Sequence, residues 1–405
     1  MNAVGIDVSK GKSTVAIMQP FGIIVASPYE VGHTVSELKR LADRIRGLTG
    51  ETRIVMEYTG IYCQPIARFL YDEGFFVSVV HAKLLYDFGN NSIRRVKTDK
   101  ADAVKIAAYA LSNWLELPRF VPEEEIRQML KAFSRQYDKY SKLKTVLKNN
   151  LIALTEQTFP GVNVLFSSPA RKSDGHQKWL DFAAKFWHCE CICGVSAKSF
   201  ATSYQKWCAK EGYRFRLSKA NDVYAAACGH KSVMPKSDAT KFLIMQAVAQ
   251  VNAIGETLAA VSKEMNRLAA LLPEYPVVMD FFGVGETLGP QLMAEVGDIN
   301  RFKKKGSLVC FAGLDAPPHQ SGQFESRNRH ISKKGSPHLR KVLFLIVDGL
   351  LKHAPSDNPI YQFINKKRAE RKHYYSYMTA GCAKFLRVYY GRVKEFLEKL
   401  HSAIA

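Results

Sequence analysis

Apolar positions in the first part of the chain fall into short runs that switch between two periods. Residues 3–8 and 13–18 are apolar runs separated by Lys10-Gly11-Lys12, a turn composition, and together they predict a hairpin. Residues 22–27 predict a third strand. Leu38, Leu41, Ile45 and Leu48 then take helical spacing over 35–48, followed by a strand at 52–56, a helix at 62–73, a strand at 75–80 and a helix at 100–111. Further on, Ile126, Leu130, Phe133, Tyr137, Tyr140, Lys144, Leu147, Leu151 and Leu154 alternate at spacings of four and three. So do Ile244, Val248, Val251, Gly255, Leu258, Ser262, Met265, Ala269 and Leu272. These seams predict two long coiled-coil-like helices, packed either on each other or on a second protomer.

The order of the first elements, three antiparallel strands and then helix, strand, helix, strand, helix, is compatible with an α/β, RNase H-like layout. Domain bounds follow at 1–118 for that unit, 119–272 for a long helical region, and 273–405 for a C-terminal domain. Residues 160–236, with Trp179, Trp187 and Trp207, read as a small helical subdomain inserted between the seams. The C-terminal domain opens on Gly283-Val284-Gly285 running into the apolar stretch 292–296. A turn of this kind can present backbone amides to a phosphate, as helix-hairpin-helix modules do, or it can simply be a tight turn that needs positive φ.

Composition adds a polyanion. The 405 residues carry 58 Lys plus Arg against 37 Asp plus Glu, a formal net charge of +21. Such a surplus repels itself unless nucleic acid or an anionic membrane neutralises it. Runs such as 342–347 fall short of the roughly 18–20 apolar residues that span a bilayer, so no membrane is expected. The first residues lack a basic stretch and an apolar stretch of signal type, which points to a cytoplasmic protein. Residues 301–405 hold 21 Lys plus Arg against 7 Asp plus Glu. The clusters there are interleaved with Tyr374, Tyr375 and Tyr377, a mixture suited to phosphates and bases. Any single cluster reads equally as a solvated helix face.

Four acids carry candidate chemistry. Asp7 and Glu57 each end an apolar strand, where an unpaired charge is costly. In the RNase H-like order those strands are neighbours. Asp99 and Asp102 are three apart at a helix start and share one face. Taken alone, Asp99 could cap its helix and Asp102 could favour the helix dipole. Together the four repel without a cation, and a pair of Mg²⁺ ions would relieve that repulsion and serve phosphodiester chemistry, with Mn²⁺ able to replace them. His188, Cys189, Cys191 and Cys193, with Cys208, Cys228 and His230, invite zinc. Their spacing departs from the usual knuckle, and buried thiols on a short extended segment are the preferred reading.

Three stretches, Gly5-Ile6-Asp7-Val8-Ser9-Lys10, Met56-Glu57-Tyr58-Thr59-Gly60 and Lys97-Thr98-Asp99-Lys100-Ala101-Asp102-Ala103, resemble the DEDD, RuvC-like domain of the insertion-sequence one-ten transposases, a family that includes the Piv DNA invertase. Phe311-Ala312-Gly313-Leu314, Ser321-Gly322 and Ile331-Ser332-Lys333-Lys334-Gly335 are similar to that family's second domain. The resemblance implies a Mg²⁺-dependent DNA recombinase in which Ser321 attacks a DNA phosphate to form a serine–DNA intermediate. Many relatives carry two serines before that glycine, and here the first is Gln320. Without the resemblance Ser321 reads as an ordinary loop serine. It further implies target and donor DNA and a bridge RNA as partners, and a homo-oligomer, dimer or tetramer, with composite active sites. Arg94, Arg95, Lys97, Arg135, Lys142, Lys303, Lys304, Arg327, Arg329, Lys333, Lys334 and Arg340 are the expected nucleic-acid contacts. The helix around Arg127, Arg135 and Lys142 is a candidate RNA surface. The expected setting is the bacterial cytoplasm, on the nucleoid when active. The alternatives are a RuvC-like junction nuclease without a covalent intermediate, and a Piv-like invertase.

Overall fold

The structure is a computed structural model that describes residues 1–89, 98–166, 169–171, 175–317, 320–321, 324–325 and 330–404, with backbone only at 320–321, 324–325 and 404. Its contacts divide into two compact units, Met1–Glu123 and Glu124–Ala405.

The first unit is a sheet covered on both faces. Strands β1 (Asn2–Val8), β2 (Lys12–Gln19), β3 (Ile23–Gly32), β4 (Thr52–Glu57) and β5 (Phe76–Val80) take the order β3-β2-β1-β4-β5. The first three are antiparallel, and β4 and β5 run parallel to β1. This is the RNase H-like arrangement that the element order predicts. Helices α1 (Val35–Arg46), α2 (Cys63–Asp72), α3 (Ala82–Gly89) and α4 (Asp99–Ser112) complete the unit. The third strand is longer than its apolar run, because its second half presents Tyr29 and Glu30 to β2 in register. Helix α3 has no counterpart in the expected pattern. Only Leu85 of its eight residues is buried, so no apolar period announces it.

Strand alternation sorts the side chains between the two faces. Val4, Ile6 and Val8 of β1, with Ile54 and Met56 of β4, join the core under α1 and α2. Ala3 and Val55 turn the other way, into the core made with Ile106, Ala107 and Ala110 of α4. Asp7 and Glu57, each an even step further along their strands, belong to that second face.

The second unit is helical. Helices α5 (Glu125–Thr158), α6 (Val162–Leu165), α7 (Lys178–Lys185), α8 (Glu190–Cys193), α9 (Ala197–Lys210), α10 (Leu217–Gly229) and α11 (Asp238–Ala269) come first. Then follow α12 (Tyr275–Met279), α13 (Leu288–Val296), α14 (Lys305–Phe311), the two-residue strands β6 (Gln320–Ser321) and β7 (Phe324–Glu325), and α15 (Pro337–His353), α16 (Pro359–Ala369) and α17 (Tyr374–Ile404). The two seam helices, α5 and α11, pack on each other within the chain. At one end Leu151, Ile244, Val248 and Val251 join an aromatic core of Trp179, Phe182, Phe200, Tyr204 and Trp207. At the other, Leu130, Met265 and Leu268 join the core of α13, α15 and α17. Helix α11 is long and apolar enough by composition to cross a membrane, and its apolar residues are spread along the helix into both helical cores and not contiguous. The Cys189–Cys193 segment is a helical turn and not extended, so the alternating thiols do not share one face. The Gly-x-Gly turn joins α12 to α13, with Gly283 at φ 81°, and residues 289–296 of α13 are all buried.

Candidate active site

Asp7, Glu57, Asp99 and Asp102 are placed by three elements on one face of the sheet. Parallel pairing aligns Ile6 with Met56, which sets Asp7 beside Glu57 at the ends of β1 and β4. Helix α4 crosses that face at Gly5. A Cβ there would stand 2.2 Å from the Ala103 carbonyl oxygen and 2.4 Å from the Ala107 nitrogen, so only glycine admits the helix this close. The approach brings the first turn of α4 to the strand ends. Thr98 caps that turn, its hydroxyl accepting from the Ala101 N–H at 3.2 Å. The cap is therefore not Asp99, whose carboxylate is left for other work.

The four acids act on one another. Burial pushes the Asp7 carboxyl up to about 6, and the charges of Asp102, Asp99 and Glu57 push it the same way. None of the four forms an ion pair among the described residues. The helix N-terminus supplies a partial positive charge beside them. No three His, Cys, Asp or Glu side chains among the described residues gather tightly enough to cage a metal ion. The acids share a face and a field and do not form a closed cage. As a donor set, all-carboxylate and partly desolvated, they fit a hard divalent cation.

Sequence reasoning missed two neighbours. Lys12 of β2 pairs with Glu30 of β3 at 2.8 Å, and the Asp99 charge also acts on Lys12. The alternation of β2 could have found Lys12, since Met18 faces the α4 core and Lys12 lies an even number of residues away.

In the second unit Ser321 lies in the β6–β7 hairpin, its backbone paired with Phe324. The chain on either side of the hairpin is clamped. Residues 311–315 and 332–336 cross at Gly313 and Gly335, where a Cβ on Gly335 would stand 2.1 Å from the Phe311 carbonyl oxygen. The Ser332 hydroxyl donates to Asp315 at 2.6 Å, and Arg340 donates to the carbonyls of Ala312 and Gly335. Lys333 and Lys334 stand exposed beside this crossing, Lys333 at φ 53°.

The expected nucleic-acid contacts separate into three groups. Arg94, Arg95, Lys97, Arg327 and Arg329 lie outside the described residues. Lys142, Lys303, Lys304, Lys333 and Lys334 are exposed and have no ion pair among the described residues. Arg135 is held by the fold, donating to both oxygens of Glu295 at 2.7 and 2.9 Å, and Arg340 is spent on the crossing. Arg127 is likewise internal, buried on Glu274. The cysteines are not gathered with His188 or His230 into a metal site among the described residues. Burial first, and then the neighbouring Cys193, push the Cys189 thiol up to about 11, so it stays protonated near neutrality.

Two family models match the chain, each described as a transposase. The DEDD transposase model of IS110 matches residues 4–160, and the model of the IS116/IS110/IS902 transposase family matches 275–362. Together they span more than half of the chain, in the expected order. The chain belongs to the IS110 family of transposases. The first match takes in all four acids, and the second takes in Ser321. The pilin gene-inverting protein of Moraxella bovis is 19% identical over 297 residues, 73% of this chain and 66% of that protein. The IS110 uncharacterized 43.6 kDa protein of Streptomyces coelicolor is 24% identical over 152 residues, 38% of this chain and 36% of that protein. The chain thus spans between about a third and just under two thirds of the length of these relatives. Among solved structures, T. thermophilus RuvC in complex with Holliday junction substrate is similar with a TM-score of 0.22 and 12% identity, over 28% of this chain and 95% of that one.

Proposed function

We propose that this IS110-family chain is the transposase of an insertion element, a DNA recombinase that cuts and rejoins strands at the site formed by Asp7, Glu57, Asp99 and Asp102. The observation that carries the reading is the set of four acids, without ion-pair partners, brought to one sheet face by the glycine-permitted approach of α4. The four carboxylates would hold Mg²⁺, two ions per site, with Mn²⁺ able to replace them. Such ions would supply Lewis-acid charge to phosphoryl oxygens and raise the acidity of a coordinated hydroxyl.

The chain's own groups then divide the work between a metal-holding part, 1–118, and a serine-bearing part, 273–405, joined by the helical region 119–272. Ser321 is the nucleophile. Its hydroxyl oxygen bonds to phosphorus, a deoxyribose oxygen leaves with a proton, and the reverse attack rejoins the strand, so bond energy is conserved in the serine–DNA ester. Lys333 and Lys334 offset charge at the phosphoryl group. Target and donor DNA are the substrates, and a bridge RNA chooses them, held by exposed cations such as Lys142, Lys303 and Lys304. Protomers assemble as dimers or tetramers in which one copy's acids meet another's serine, in the bacterial cytoplasm and on the nucleoid when active. The pilin gene-inverting relatives support DNA rearrangement, and inversion is a variant of the same chemistry.

The test is a denaturing gel after incubation with a nicked suicide DNA substrate and Mg²⁺. The expected result is a protein–DNA adduct that is lost in both Ser321→Ala and Asp7→Ala. Simple nicks without an adduct, unchanged in Ser321→Ala, identify a junction nuclease and overturn the serine mechanism. Sequencing RNA that co-purifies with the protein tests guidance: one discrete structured species supports it, and random cellular RNA contradicts it.

A further inference from the structure

Residues 161–274 lie between the two family matches, so neither accounts for the subdomain inserted between α5 and α11. Residues 160–236 hold 12 Lys plus Arg against 5 Asp plus Glu. Much of the chain's surplus outside the C-terminal domain is therefore concentrated there.

Three of these cations gather on the rim of the aromatic core. The Lys178 Nζ, at the start of α7, lies 5.5 Å from the ring centroid of Phe166, 5.4 Å from that of Tyr204 and 5.3 Å from that of Tyr213. The Lys219 Nζ of α10 lies 5.6 Å from the same Phe166 ring, so two ammonium groups share one aromatic side chain. Arg216, just before α10, is exposed, and its charge and that of Lys219 both act on Lys178. The Lys178 amine donates to the Arg214 carbonyl oxygen at 3.3 Å. None of the three cations has an ion pair among the described residues. Asp181, one turn along α7 from Lys178, is engaged by the Tyr213 hydroxyl and the His176 ring. Burial lowers the Lys178 amine most. The Cys208 sulfur opposes that shift, and Lys219 and Arg216 add to it. Burial also raises the Cys208 thiol, which is thus neutral near pH 7 and offers no counter-charge.

Two ammonium groups on aromatic faces, with the Arg216 charge acting on one of them, repel one another until an anion arrives. The Phe166 and Tyr204 rings are buried, so they hold the ammonium groups in place and leave the charges themselves to meet a phosphodiester backbone. The outer face of α9 continues the chemistry. Ser196, Lys198, Ser199, Thr202, Ser203 and Lys206 line a shallow depression of hydroxyls and amines with no acid among them. We propose that the subdomain between the two long helices is a nucleic-acid-binding module that holds a phosphodiester backbone at Lys178, Arg216 and Lys219. It deepens the recombinase reading by adding a polyanion contact outside both family-matched domains.

The test uses the full chain, with fluorescence anisotropy on a labelled single-stranded RNA and a labelled DNA duplex over a KCl series. For K178Q/R216Q/K219Q, the slope of log K against log salt is expected to fall in magnitude by about 2–3 for at least one of the two probes, since each phosphate contact contributes about 0.7–0.9. The probe that loses the slope identifies the nucleic acid held there. The pair R216Q/K219Q, one exposed and one half-buried position that spares Lys178, keeps the wild-type melting midpoint and loses about 1.5–2 of the slope. K39Q/R40Q, on the exposed face of α1, serves as the charge control and leaves the slope unchanged. Wild-type slopes in the triple variant, or an equal loss in the control, overturn the module. If the serine adduct still forms in that case, the recombinase reading stands without it.

Discussion

In the helical unit Glu274, Glu295 and Asp138 each end on cations. Glu274 takes Arg127, Glu295 takes Arg135 and the Ser336 hydroxyl, and Asp138 takes Lys341 at 2.6 Å and His338 at 3.2 Å. In the α/β unit Asp7, Glu57, Asp99 and Asp102 have no ion pair among the described residues, and the charges of the other three act on Asp7. Asp138 and Asp7 are both partly desolvated, yet their acidities move in opposite directions. For Asp138 burial raises the pKa, but Lys341 and His338 outweigh it and hold the carboxyl below its ordinary value. For Asp7 every neighbour adds to burial. Acids that are paired tie helices together, and acids left without counter-ions are available to a cation from outside the chain.

Removing a partner from each set should have effects of different size and sign. Glu274→Ala removes the buried counter-ion of Arg127, leaves it only the exposed Glu124 at 3.3 Å, and should destabilise the helical unit by about 3 kcal/mol, read as a lower urea midpoint. An unchanged midpoint would show that the pair contributes nothing. Gly5→Ala pushes α4 off the sheet and should cost about 1–3 kcal/mol, with weakened Mg²⁺ binding alongside. Retained Mg²⁺ affinity would break the link between that glycine and the acids. Asp7→Asn should act the other way and stabilise the metal-free chain by an amount on the order of 1 kcal/mol after allowance for solvent screening.

The sign for Asp7 follows from its raised pKa. The folded state holds the proton more tightly than the unfolded one, so the stability linked to Asp7 is fully present below pH 3.8 and is lost as pH rises through about 6. Thermal melts without divalent cation should therefore separate Asp7→Asn from wild type above pH 6 and bring them together near pH 4. Curves that separate only in acid would contradict the field assigned to this site. The smallest effect is expected for Lys12→Ala. Its partner Glu30 is exposed, so the melting midpoint should not move, whereas DNA cleavage should change if Lys12 helps to hold substrate beside Asp99.

The acids were legible because a charged residue closing an apolar strand interrupts a pattern, and β1 and β4 could be placed as neighbours from element order alone. Gly5 was not legible, because only the structure shows which backbone crosses it. Arg127 and Arg135 read as surface cations since their partners, Glu274 and Glu295, stand 147 and 160 residues away. A seam at spacings of four and three identifies the apolar side of α5 but says nothing about what meets its polar residues. It also left open which helix packs on it, and the structure supplies α11 of the same chain. The clamp at Gly313 and Gly335 was visible as two motifs and became one feature only when their backbones crossed.

We propose that the unpaired acids bind a divalent cation and that the paired ones do not. Calorimetric titration of Mn²⁺ into the full chain at pH 8, with Asp7→Asn and Lys341→Ala compared against wild type, decides between these two roles. Saturable binding is expected in wild type, lost in Asp7→Asn and preserved in Lys341→Ala. Equal binding by all three proteins would contradict the proposal.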